Sequence, residues 1–197
     1  MLRNFPPLAS RLLEPGCGFA SPRQHLPEHV TLDNPALDVM TDLRHAIAVV
    51  IQPGDSVDEA HRRMIQRGVR LLLVIDRERR VAGIVTATDT MGEKPMQVQT
   101  ERRCAHAEVL VSEIMTPQER LEVLDMADVR GAKVGHVVAT LKLAGRQHAT
   151  VVEYDAQGRQ TVCGLFSTSQ IAHQLGVPLQ ATEVARTFSE IEAALAH

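Results

Sequence analysis

The 197-residue sequence has no tryptophan, one tyrosine and four phenylalanines, so side chains on which nucleic-acid bases could stack are scarce. Basic charge is not in excess either. The 21 Lys and Arg face 24 Asp and Glu, a balance that argues against a broad grip on phosphate backbones, and no nucleic-acid partner is expected. Three cysteines, Cys17, Cys104 and Cys163, stand far apart with no CxxC or CxxH pair, which argues against a disulfide framework or structural zinc site and fits a reducing compartment. Nine histidines offer no ligand spacing better than His25-x-x-x-His29, and no metal site is expected. The longest apolar run, Ala46 to Ile51, is six residues, against the roughly 18 of a membrane-spanning helix. The first residues also lack the apolar stretch of a signal peptide, so the expectation is a cytoplasmic protein with no membrane partner.

What is present is an ordinary globular composition, with 44% hydrophobic and 23% charged residues. Six of the ten prolines fall in the first 35 residues, which predicts a mostly irregular arm over 1–37, with room for a helical turn around Leu8 to Leu13. Ala46 to Ile51 then reads as a strand, and Pro53-Gly54-Asp55 as a turn. Ser56 precedes a run with Val57, Ala60, Met64 and Ile65 on one face, and Glu59 completes a capping-box pattern. This predicts a helix from Ser56 to Arg67, closed by Gly68. Val69 to Ile75 and Val81 to Thr86, separated by the charged Asp76 to Arg80 turn, read as a hairpin of buried strands. Further helical character is expected from Met96 to Cys104.

The same unit recurs. At an offset of 77, Val57 falls on Val134, Ala60 on Val137, Met64 on Leu141, Gly68 on Gly145, and Leu72 to Ile75 on Ala149 to Val152. Beyond the hairpin the offset becomes 81, placing Gly83 to Thr86 on Gly164 to Ser167. The extra residues fall in the turn Tyr154 to Arg159. Ahead of each unit stands a similar tripeptide, Val39-Met40-Thr41 and Ile114-Met115-Thr116. One such unit leaves a face of its small sheet uncovered, whereas two can pack sheet against sheet about a pseudo-two-fold axis. Behind them, Thr187 and Glu190 with Phe188, Ile191, Ala194 and Leu195 read as the start and apolar face of a C-terminal amphipathic helix.

Four stretches of the chain together resemble the tandem cystathionine β-synthase (CBS) domain pair, or Bateman module: Asp38-Val39-Met40-Thr41 with its partner Glu113-Ile114-Met115-Thr116; Pro53-x-x-Ser56-Val57-x-Glu59-Ala60; Arg70 to Asp76; and Gly83 to Asp89. The resemblance implies an α/β protein of two β-α-β-β-α CBS repeats. It divides the chain into the arm (1–37), a first CBS domain with connecting segment (38–110), a second CBS domain (111–176) and a helical tail (177–197). It also implies a non-catalytic regulatory module that binds AMP, ADP, ATP or S-adenosylmethionine between the domains, forms a homodimer and acts on a separate effector protein.

The implied ligand-binding residues are Thr86 and Asp89, which match the family's hydroxyl-x-x-Asp motif, and Ser167 and Gln170, where Gln replaces the acid and weakens or alters the second site. A carboxylate suits both hydroxyls of a ribose. The Arg that often precedes the motif Asp is absent, Thr88 and Ser169 standing there, which leaves Arg70 or Lys94 to meet a phosphate. Read without the resemblance, Thr86 and Asp89 equally suit a strand end and an N-cap, Arg70 a solvated surface residue, and the whole protein a structural or protein-interaction scaffold with no nucleotide. Cys163 aligns with Ala82 and reads as a packed core residue rather than a nucleophile served by His148 or His173.

Overall fold

A computed structural model describes residues 26–177; the expected turn at Leu8 to Leu13 and the tail helix at Thr187 lie outside the described residues. A short 3-10 helix, Ala36–Val39, leads into β1 (Thr41–Asp42), β2 (Val50–Ile51), α1 (Val57–Arg67), β3 (Leu71–Ile75), β4 (Val81–Thr86), α2 (Ala87–Met91) and α3 (Glu93–Arg102). The second half runs α4 (Val111–Ile114), β5 (Thr116–Pro117), β6 (Val123–Asp125), α5 (Met126–Gly131), α6 (Val134–Leu143), β7 (His148–Tyr154), β8 (Gln160–Ser167) and α7 (Thr168–Gln174). Among the described residues, no helix is long and apolar enough to cross a membrane.

The repeat extends to individual hydrogen bonds. Val69 N–H donates to Met64 and Arg146 N–H to Leu141, both at 3.0 Å, and both hairpins carry a register shift at equivalent places, Val74/Ile75 and Val151/Val152. Gly68 and Gly145 turn the chain at φ 63° and 61°, a left-handed conformation that favours glycine. The helix start differs in one detail from expectation. Ser56 does cap α1 by accepting from the Glu59 amide, but the Glu59 carboxylate turns instead to Arg62 and Arg63, at 2.8 and 2.7 Å.

Two further expectations are corrected. Only Val50 and Ile51 of the Ala46 to Ile51 run are strand, because β2 meets β3 at just two register positions, Leu73 and Val74. The connecting helix begins at Glu93, not Met96, since Pro95 sits in its first turn, where a missing N–H breaks no helical bond.

The sheets run β1-β8-β7-β6 and β2-β3-β4-β5, so the short strand opening each half belongs to the other half's sheet. Thr41 pairs with Leu165, and Thr116 with Ile84. Between the sheets lies a shared apolar layer of Leu71, Leu73 and Ile84 with Leu43, Val50, Leu121, Val162 and Leu165, the face-to-face packing that the repeat implies. Helices cover the outer faces. α1 places Val57, Ala60 and Met64 behind the first sheet, whereas Ile65, expected on the same face, is turned out to solvent by the helical step from Met64. α5, α6 and α7 cover the second sheet together with Val30, Ala36 and Val39 of the leading segment.

That leading segment is anchored by a buried polar group. Gln174, 1% exposed, donates through Nε2 to the carbonyls of Pro27 (2.6 Å) and Asp38 (2.9 Å) and accepts from Gln170 Nε2 (3.0 Å). Gln174→Leu leaves two carbonyls and Gln170 without these partners, and urea denaturation is expected to read a loss of about 2 kcal/mol.

Candidate ligand cleft

β4 gives way to α2 at Thr86, whose extended backbone and side chain cap the helix. Thr86 Oγ1 accepts from the Asp89 amide (3.3 Å), while Asp89 Oδ2 accepts from the Thr86 amide (2.9 Å) and hydroxyl (2.7 Å). This reciprocal box realises the strand-end and N-cap reading of both residues. The same two side chains line a cleft of about 320 Å³ between the halves. Such a volume is at the small end of small-molecule sites, roughly 300–1,000 Å³.

The opposite wall comes from the second half: Thr116 of β5, the Arg120-Leu121-Glu122 segment after it, and Gly145 to His148 at the head of β7. The crossed β5 strand brings Thr116 to this wall, since its pairing with Ile84 fixes the start of the second half beside the end of β4. Thr88 and Thr150 add hydroxyls, and Ile84 and Leu121 add apolar surface.

Charge in the cleft is largely internally compensated. Asp89, its side chain 12% exposed, meets Lys94 Nζ through Oδ1 at 2.5 Å, and Arg146 pairs with Glu122 at 3.1 Å. Arg120 is exposed and has no ion pair among the described residues. Burial holds the His148 imidazole down to about 4, with the nearby Arg70 charge adding to the shift and Asp89 opposing it. Unfolded, the same ring titrates near its ordinary 6.5, so between about 6.5 and 4 the unfolded chain binds the extra proton. Stability is therefore expected to fall as pH drops through that window, and His148→Gln to flatten the fall in denaturation midpoints measured at pH 7, 5.5 and 4.5.

Of the residues singled out from the sequence, Thr86 and Asp89 stand together at this cleft. Arg70, exposed at the head of β3, does not line it; its carbonyl accepts the Ala87 amide at 2.9 Å. Ser167 and Gln170 sit at the start of α7 but form no reciprocal box. Ser167 Oγ pairs with Ser169 Oγ at 2.8 Å, and Gln170 is held by Gln174. Lys94 meets Asp89 and the Ile114 carbonyl rather than standing open for a phosphate.

Sequence reading missed Arg120 and Arg146, and it weighed His148 only as a base for Cys163, not as a cleft residue. The repeat held a signal for the last of these: the offset of 77 lays Gln147 and His148 on Arg70 and Leu71, the head of the first hairpin. A larger groove of about 1210 Å³ opens between the sheets at their hairpin ends, beside Ile75, Val81 and Val162, and includes none of the residues singled out. Cys163, 1% exposed in β8, points its thiol at the Val151 carbonyl (3.6 Å), and burial raises its pKa, the opposite of nucleophile activation.

Residues 36–93 match the family model of the CBS domain. No curated protein matches the sequence. Among solved structures, an uncharacterized conserved protein from Pyrococcus horikoshii is similar over 78% of this chain and 100% of its own, at 20% identity and a TM-score of 0.52. A CBS-domain containing protein from Agrobacterium tumefaciens is similar over 73% and 93%, at 17% identity and a TM-score of 0.52. A CBS domain pair solved in complex with 5′-methylthioadenosine and S-adenosyl-L-methionine is similar over 73% and 97%, at 17% identity and a TM-score of 0.50. At these identities the likeness is one of fold.

Proposed function

This chain carries a CBS domain and has the fold of a CBS-domain pair, and on that premise we propose that it is a non-catalytic regulatory module binding an adenosine-containing ligand between its halves. The observation that carries this reading is the placement of Asp89 and Thr86 on one wall of a cleft whose other wall holds Arg120, which has no ion pair among the described residues. A carboxylate accepts from two ribose hydroxyls, the threonine hydroxyls serve further oxygens, and Arg120 suits a phosphate or carboxylate. The ligands named for the CBS domain pair of similar fold, 5′-methylthioadenosine and S-adenosyl-L-methionine, add support for the adenosine class. Ligand occupancy favours one arrangement of the halves over another, and the arrangement is read by a separate effector protein. A homodimer in the cytoplasm is part of the same reading, supported by the exposed Ile65, Met91 and Met96 on α1, α2 and α3.

Calorimetric titration with adenosine, AMP, ADP, ATP and S-adenosylmethionine tests the proposal, and heats from none of them would overturn it. The second reading, a scaffold that takes no nucleotide, draws on one observation: both oxygens of Asp89 already have partners inside the protein. In that case the effector protein binds with the cleft unoccupied.

A further inference from the structure

Lys94 makes a contact that helix formation does not require. α2 ends at Gly92, and Lys94, in the first turn of α3, reaches back five residues to Asp89, outside the i, i+3 and i, i+4 spacings that meet along one helix. Its Nζ lies 2.5 Å from Asp89 Oδ1 and 2.9 Å from the carbonyl of Ile114. That carbonyl ends α4, where helix carbonyls lack partners and attract cations, and it directly precedes Met115 and Thr116, the latter a cleft wall. One ammonium thus joins the cleft carboxylate, the connecting helix and the opening of the second half.

The two oxygens of Asp89 have different roles. Oδ2 is taken by the backbone and hydroxyl of Thr86, which hold the turn, so Oδ1 is the oxygen with which a diol must engage. The second half has neither member of the ion pair: at the offset of 81, Gln170 stands for Asp89 and Leu175 for Lys94. The lysine occurs where the acid does.

Building on the adenosine reading, we propose that Lys94 is an internal latch occupying the ligand side of Asp89. A ribose diol competes with the ammonium for Oδ1, and its binding releases Lys94 from both Asp89 and the Ile114 carbonyl. The latch lowers affinity for a neutral diol and converts occupancy of the cleft into loosening of α4 and the strand behind it. A surface ion pair without this role would leave ligand binding unchanged and contribute little.

The test uses the full chain with Lys94→Met and Lys94→Gln, titrated with adenosine, which carries no phosphate to attract the lysine. Both substitutions leave the Thr86–Asp89 box intact, and circular dichroism checks the fold. Adenosine is expected to bind both variants three- to tenfold more tightly than wild type. Hydrogen exchange over 111–116 is expected to rise on adding adenosine to wild type, and to be already high and ligand-independent in the variants. Unchanged or weaker binding by the variants, with wild type still binding, overturns the latch and leaves the adenosine reading standing. Absence of adenosine binding in wild type and both variants overturns the latch, while heats from AMP, ADP, ATP or S-adenosylmethionine leave the adenosine-class reading standing. Binding by the variants alone supports both.

Discussion

Asp89→Ala is expected to abolish stabilisation by the adenosine ligand. Saturation at about 100 times the dissociation constant adds roughly 2.7 kcal/mol to a protein that binds only when folded, and this increment should fall to near zero in the variant. The comparison must be made between ligand-induced shifts rather than absolute melting temperatures. Removing the carboxylate also removes the bonds to the Thr86 amide and hydroxyl and the Lys94 pair, a structural cost of about 1–2 kcal/mol with no ligand present. Thermal melts of both proteins with and without each ligand separate the two effects. A full shift retained in Asp89→Ala would sink the assignment of this carboxylate to the ligand.

Gly83→Ala is expected to be severely destabilising for so conservative a change. Gly83 lies opposite Pro117 where β4 pairs with β5, and an added Cβ would run into the backbone carbonyl oxygen of Thr116 and crowd the Pro117 Cα at 3.1 Å. Backbone cannot rotate away as a side chain can, so β5 must separate from the sheet. The expected loss is about 3 kcal/mol or more. Its repeat partner supplies the control. At Gly164 the added Cβ would meet Met40, with Sδ at 2.5 Å, and a methionine side chain has three rotatable bonds with which to yield. Gly164→Ala should therefore cost clearly less by denaturant titration. Equal losses would mean that the β4–β5 junction is softer than its geometry indicates. Because Thr116 forms part of the cleft wall, Gly83→Ala should also weaken ligand binding, although residue 83 is not among the lining residues.

Local chemistry carried much of the architecture. The helix of α1, its Ser56 cap and its Gly68 stop follow from side-chain period, a hydroxyl acceptor and freedom at positive φ, all properties of adjacent residues. The hairpins follow from continuous apolar runs flanking charged turns, and the offset of 77 foretold a second helix and strand, which the structure matches down to equivalent bonds and bulges. At the cleft, Thr86 and Asp89 were singled out through the resemblance, on a hydroxyl-x-x-Asp pattern four residues long whose spacing also suits an N-cap. Where the pattern weakened, so did the reading. Ala46 to Ile51 is apolar throughout, yet it is strand only where β3 offers a partner.

The sequence by itself determined two copies of one helix-and-hairpin unit, their caps and turns, and a hydroxyl–carboxylate pair present in the first and altered in the second. Those features depend on residues a few positions apart, within reach of propensity and periodicity. Only the tertiary structure decided that β1 and β5 exchange sheets, that Arg120, Arg146 and His148 face Asp89 across the cleft, and that Lys94 already holds its free oxygen. Each of these joins segments brought together by burial of the layer between the sheets. Burial rewards apolar area without regard to which polar groups it carries into contact, so no local pattern records the outcome.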